Sequence, residues 1–321
     1  MTTRTRTATA VLAAMALVPL AGGPAQAQLP GNSGRIAFIR AGDVYTAMSN
    51  GTDIRRLTTT SATESSPKWT PDGGSIVFVR QGWIWKMPAA GGQARRLARG
   101  TAPSISPDGR YIAYVAISPA DEECSTYPYI RARAADADRT ESWVVVDMNA
   151  GLHCSWGYYE ASYGLSTRWS TDGQRILYGV NADYSGLEPP TTDVEETPAR
   201  GVIGDIHKVI SWSRTPGTRA PRAPEVDYSP TDASTVVLAT NAGDRNRTGR
   251  LWISNRSGTS KRQASSDGDV RHPVYSPTGD QVLYSQHSPG QQPRLRRVDL
   301  RSTTPTTVLT NASEPDWQRL R

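Results

Sequence analysis

Ser66-Pro67-Lys68-Trp69-Thr70-Pro71-Asp72-Gly73-Gly74-Ser75-Ile76-Val77-Phe78 is one copy of a unit that returns along the chain. Other copies are Ala102-Pro103-Ser104-Ile105-Ser106-Pro107-Asp108-Gly109 with Tyr111-Ile112-Ala113-Tyr114, and Trp169-Ser170-Thr171-Asp172-Gly173 with Ile176-Leu177-Tyr178. Weaker ones are Tyr228-Ser229-Pro230-Thr231-Asp232 before Val236-Val237-Leu238, and Pro273-Val274-Tyr275-Ser276-Pro277-Thr278-Gly279-Asp280 before Val282-Leu283-Tyr284. Pro-x-aromatic puts the proline and the ring on one face of a short strand, because side chains alternate. In Ser/Thr-Pro-Asp-Gly the proline presets φ, the aspartate binds nearby backbone and the glycine accepts positive φ. The apolar-x-aromatic triplet then resumes extended chain, so each copy predicts a hairpin.

A second column follows in each unit: Gly42-Asp43-Val44-Tyr45, Gly82-Trp83-Ile84-Trp85, Gly204-Asp205-Ile206-His207, Gly249-Arg250-Leu251-Trp252 and, more loosely, Trp143-Val144-Val145-Val146. Turn residues such as Asn50-Gly51-Thr52-Asp53 come next, and a polar strand of the type Ile54-Arg55-Arg56-Leu57-Thr58 closes the unit. Four short strands per repeat is the plan of a β-propeller blade.

The anchors Trp69, Ile105, Trp169, Tyr228, Tyr275 and Trp317 are 36, 64, 59, 47 and 42 residues apart. No gap is wide enough for two blades of about 40 residues each. The chain stops at Glu314-Pro315-Asp316-Trp317-Gln318, a first strand with nothing after it, and the repeat begins at Gly34-Arg35-Ile36-Ala37-Phe38, a second strand with nothing before it. One blade is therefore expected to be shared between the termini, giving an all-β, six-bladed propeller of four-stranded antiparallel blades with no exposed sheet edge at the closure.

The long gaps are expected to carry inserted loops at about 118–141 and 181–201. The first holds Asp121-Glu122-Glu123 with Arg131, Arg133 and Arg139, and the second an acidic run at Asp193, Glu195 and Glu196. Charged loops of this kind read as solvated. The aromatic cluster Trp156, Tyr158, Tyr159 lies beside Cys154 and offers a stacking surface for a glycan or a peptide.

Arg4 and Arg6, the apolar run Ala8 to Ala21 and Ala25-Gln26-Ala27 have the three parts of a secretory signal, so residues 1–27 are read as a leader and residues 28–321 as one propeller. No second long apolar run follows, which argues against a membrane span. Formal charge falls from +6 to +4 without Arg4 and Arg6, and basic residues alternate with acidic ones, so no nucleic-acid stripe is visible. In an exported chain Cys124 and Cys154 are expected to form a disulfide, worth roughly 3–4 kcal/mol in the chain-entropy model.

Enzyme signals are weak. His153, His207, His272 and His287 have no metal-ligand spacing, and no Gly-x-Ser-x-Gly elbow occurs. His207 occupies the aromatic slot of the second column and reads as a packed strand residue. His272 precedes the proline of a first strand, near one end of the channel, and is the one histidine expected to matter.

The Pro-x-Trp-Ser/Thr-Pro-Asp-Gly-x-x-Ile-x-Phe pattern, best at Pro67 to Phe78 and Pro103 to Tyr114, resembles the propeller repeat of the TolB family from Gly34 to Gln318. That resemblance implies a periplasmic, protein-binding propeller. Family members carry a smaller α/β domain ahead of the ring, for which the stretch between Ala27 and Gly34 leaves no room. Related repeats occur in propeller domains of prolyl-oligopeptidase-like peptidases and of some polysaccharide lyases.

The resulting expectation is a secreted or extracytoplasmic, monomeric, non-enzymatic scaffold with no cofactor or metal, binding another protein or peptide at one mouth of the ring. Its contact residues are expected on the first strands: Glu64, Lys68, Arg168, Asp227, His272 and Asp316. A glycan-binding propeller using Trp156, Tyr158 or Tyr159 is the alternative. A lyase or hydrolase, which would need histidines and a metal at one mouth, is the second.

Overall fold

The computed structural model describes residues 33–117, 128–136, 138–147, 166–182, 191–200, 205–213, 223–240 and 249–319. The leader, Cys124 and Cys154, and Trp156, Tyr158 and Tyr159 lie outside the described residues. Within them, β1 (Ser33–Arg40), β2 (Asp43–Met48) and β3 (Arg55–Arg56) begin the chain. The second blade is β4 (Glu64–Trp69), β5 (Ser75–Arg80), β6 (Trp83–Pro88) and β7 (Arg95–Arg99). The third is β8 (Thr101–Ile105), β9 (Tyr111–Ile117), β10 (Pro128–Ala134) and β11 (Ser142–Asp147). The fourth is β12 (Thr167–Trp169), β13 (Arg175–Ala182), β14 (Thr191–Pro198) and β15 (His207–Ser213). The fifth is β16 (Glu225–Tyr228), β17 (Thr235–Thr240), β18 (Arg250–Asn255) and β19 (Lys261–Gln263). The sixth is β20 (Val270–Tyr275), β21 (Gln281–Gln286), β22 (Arg294–Asp299) and β23 (Thr306–Thr310). The last strand, β24 (Ser313–Arg319), returns to pair with β1 and completes the first blade, in the order β24-β1-β2-β3. The six-bladed ring and its terminal closure are as the repeat implies.

The Asp-Gly turn forms as its residues dictate. Thr70 donates its hydroxyl to Asp72 at 2.5 Å, the same carboxylate accepts the Gly74 amide at 3.0 Å, and Gly73 takes φ +67°. Ser106 with Asp108 and Ser170 with Asp172 repeat the geometry. In the sixth blade the aspartate has moved to position 280 yet still receives Ser276 and Thr278. The hydroxyl of Thr70 holds the Asp72 carboxyl below the ordinary carboxylate range, and that of Thr278 does the same for Asp280.

Second strands are apolar on both faces because each is sandwiched between two neighbouring blades. Ile76 and Phe78 of β5 pack with Ala37, Ile39 and Val44 of the first blade, while Val77 and Val79 pack with Ile112, Tyr114 and Ala116 of the third. Six such wedges exist, one per blade boundary; Trp317, Ile36 and Phe38 of the first blade meet Val274, Leu283 and Leu295 of the sixth at the closure. The anchors Trp69, Trp169, Tyr228, Tyr275 and Trp317 are all buried here.

Two stretches expected to be solvated inserts contain blade strands. β10 and β14 are the third strands of their blades, which moves Trp143 to Val146 and His207 outward into fourth strands. His207 is accordingly exposed rather than packed. The acidic run of β14 is buried: Asp193 and Glu196 are 0% exposed and Glu195 is 6% exposed. Glu196 receives both Arg256 and Arg175, with the Tyr228 hydroxyl at 2.8 Å, and Asp193 receives Lys208 at 3.0 Å and Ser211 at 2.6 Å. Burial holds the Glu195 carboxyl above its ordinary range. Charges of this kind are tolerated inside only when paired.

Replacing Glu196 by Ala should therefore lower the free energy of unfolding by about 3 kcal/mol, because Arg175 and Arg256 lose a shared buried acceptor. A solvated acid in a loop would change it by less than about 0.5 kcal/mol. Denaturant melts of the two proteins separate these outcomes.

Candidate functional site

In four blades the first strand carries a left-handed residue just before a proline: Ser66, Ala102, His272 and Glu314, with φ between +48° and +52°. Strand register shifts at each of these sites. A residue before proline is pushed out of the right-handed helical region, and a left-handed non-glycine costs about 1–2 kcal/mol. Neighbouring blades compensate at three of them. Glu314 accepts the Ser66 amide at 2.5 Å, Glu225 accepts the His272 amide, and Ser285 Oγ accepts the Glu314 amide at 3.4 Å.

In five blades the residue preceding the anchor lines one cavity at the channel: Asp316, Lys68, Ser104, Arg168 and Asp227; in the sixth, Val274 instead packs in the wedge against the first blade. They alternate. Asp316 accepts the Trp69 amide of the next blade at 2.8 Å, Ser104 accepts Trp169 at 3.0 Å, and Asp227 accepts Tyr275 at 2.9 Å. Every second blade thus supplies an acceptor to its neighbour, an approximate threefold pattern laid over six blades.

Four of the six expected contact residues meet here. Lys68 Nζ lies 3.5 Å from Asp316, Arg168 Nε lies 3.3 Å from Asp227, and Arg168 Nη2 reaches Asp316 at 4.0 Å from the opposite side of the ring. Arg319, which the sequence reading passed over, spans the channel from the end of β24 to Asp227 at 2.7 Å. By strand alternation it falls on the side of Trp317 rather than of Asp316, so the repeat carries no signal for it. Because partners on opposite blades touch, this mouth is a plate of side chains over a cavity of only about 70 Å³.

Three cations face two carboxylates on the plate. Two indole donors in the cavity lining, Trp69 Nε1 and Trp317 Nε1, are buried without an acceptor among the described residues, whereas Trp169 Nε1 donates to the Ser104 carbonyl at 3.1 Å. Burial pushes Lys68 down to about 8, with Arg168 adding to the effect against the pull of Asp316 and Asp227.

The other two expected residues are elsewhere. Glu64 stands four residues before Lys68, roughly 13 Å along the strand. It is buried in a closed network, receiving Arg80 at 2.8 Å, Thr58 at 2.6 Å and Thr60 at 2.7 Å. Its position reflects blade packing at the opposite face. His272 sits at the bulge, with Nδ1 2.9 Å from Ser285 Oγ and Nε2 3.6 Å from Glu225, and its ring does not join the plate. Among the described residues no group of three or more His, Cys, Asp or Glu is arranged to hold a metal, and no helix is long and apolar enough to cross a membrane.

The unfolded chain holds the Lys68 proton more tightly than the fold does, since the side chain sits at about 8 when folded against 10.5 when free. Stability therefore rises with pH between those values, and below pH 8 the cost of burying the charged amine is felt in full. Relative to Lys68→Met, the wild type should gain up to about 1.4 kcal/mol per pH unit across that window. A pH-independent difference between the two melts would contradict the burial of Lys68.

No protein-family model matches the chain, and no curated protein matches it. Solved structures do. TolB from Acinetobacter baumannii superimposes with a TM-score of 0.65 at 16% identity, over 89% of this chain and 66% of that one, so this chain spans just under two thirds of it. A putative TolB from Agrobacterium tumefaciens gives 0.59 at 16% identity, covering 86% of this chain and 88% of that one. Oligogalacturonate lyase from Vibrio parahaemolyticus gives 0.50 at 15% identity, covering 87% and 74%. At these identities the likeness is one of fold, and in fold the chain is a TolB-like six-bladed β-propeller.

Proposed function

We propose that this chain is a non-enzymatic, extracytoplasmic, monomeric scaffold that binds a protein or peptide on the charged plate formed by Lys68, Arg168, Asp227, Asp316 and Arg319. The observation that carries this reading is the gathering of three cations, Lys68, Arg168 and Arg319, about only two carboxylates, Asp227 and Asp316, at one small cavity. A carboxylate presented by a partner answers that excess. The plate is held by hydrogen bonds to the backbone of the next blade, so little side-chain entropy is lost when a ligand docks. Catalysis has less support, since the carboxylates at the mouth are committed to cations and to main-chain amides rather than paired with a nucleophile. The leader-like N-terminus supports export.

Crosslinking co-purification from the protein's own extracytoplasmic fraction tests this. A partner retained by the wild type and by His272→Ala but lost with Arg168→Ala is the expected result. Equal retention by Arg168→Ala and wild type would remove the plate from the binding site. Saccharide-dependent binding on a glycan array would instead favour the carbohydrate reading.

A further inference from the structure

The face opposite the charged plate carries a second cationic site, between the second and third blades. A cavity of about 740 Å³ is lined by Arg99 at the end of β7, Arg131 and Arg133 on β10, Tyr114 on β9 and Tyr129 on β10, with the hydroxyls of Thr101 and Ser142 among its other lining residues. Among the described residues no aspartate or glutamate lines it. The nearby acid Glu141 is already engaged by Arg139 and Arg200.

The three arginines differ in what they have left to give. Arg133 spends its donors on carbonyls of Leu97, Ala134, Asp136 and Arg139, so it contributes charge and rigidity rather than a free fork. Arg131 donates Nη2 to Ser142 Oγ at 3.0 Å, while its Nε is buried with no acceptor among the described residues. A guanidinium N–H buried without a partner is costly, and a carboxylate is the group whose geometry its fork matches. The Tyr114 phenol is raised chiefly by burial, with Arg131 and Arg133 pulling the other way, so it stays a neutral donor beside the cations. Arg99 belongs to β7, the outermost strand of its blade, with no strand paired beyond it among the described residues. An edge strand offers main-chain groups to an extended segment, which neither a free phosphate nor a glycan can use in the same way.

We infer that this groove is a docking site for an extended, carboxylate-rich peptide segment, held by Arg131 and Arg99 and independent of the plate at the other mouth. The test is fluorescence anisotropy of the full chain with a labelled oligoglutamate peptide, at low and at physiological salt. Saturable binding is expected, weakening as salt rises, and falling about tenfold with Arg131→Gln and measurably with the exposed-site variant Arg99→Gln. Arg168→Gln, on the opposite mouth, should leave it unchanged. Should Arg131→Gln unfold the protein, Arg99→Gln carries the test alone. Equal affinity for wild type and the groove variants overturns the assignment. So does displacement of the peptide by inorganic phosphate or oligogalacturonate at lower concentration than by unlabelled peptide, which would make the groove a phosphate or glycan site. A tenfold gain on neutralising Asp121, Glu122 and Glu123 would also overturn it, by making the chain's own acids the occupant.

Discussion

A four-stranded blade that is apolar on both faces cannot bury either face by itself, and the whole molecule follows from that constraint. Each face is covered by a neighbour, so the core is divided into six wedges and no blade is a folding unit of its own. The first strands add a directional tie: Asp316, Ser104 and Asp227 each accept an anchor amide from the following blade. A linear stack would leave two apolar faces exposed. Pairing of β24 with β1 removes both, and it is also what brings Asp316 and Arg319, from the end of the chain, into contact with Arg168 and Asp227 from its middle.

The turns and anchors were legible because their chemistry is local. Thr70, Asp72 and Gly73 satisfy one another within five residues, so the pattern survives in the sequence wherever the hairpin does. The third strand β14 was hidden because its charges are neutralised from elsewhere in the fold. Glu196 is buried by virtue of Arg256, sixty residues on, and nothing in the stretch Thr191 to Pro198 announces that partner. In β10 the alternation of Ile130, Ala132 and Ala134 with Arg131 and Arg133 was a readable strand signal, outweighed by the acidic run before it.

The site was legible in the same proportion. Lys68, Arg168, Asp227 and Asp316 were found because each stands one place before an anchor, a position the repeat fixes. His272 and Glu64 stand on the same first strands, but at and before the left-handed bulge, which inserts a residue and separates the layers, so neither reaches the plate. The arginine groove had no signature at all, since Arg99, Arg131 and Arg133 come from two blades and meet only when β7 lies against β9 and β10. The two faces of the ring thus differ in kind: one presents a plate of paired charges over a narrow channel, the other a wide groove in which no acid among the described residues answers the arginines.

Native-state hydrogen exchange across β1 and β24 tests the closed ring most directly. Their paired amides are predicted to open only with global unfolding, at the same free energy as the amides of Trp69 and Tyr275 on the inner strands. Exchange of β24 at a much lower free energy than those two amides would show that the terminal strand frays independently, and would contradict the closure on which the core and the charged plate both rest.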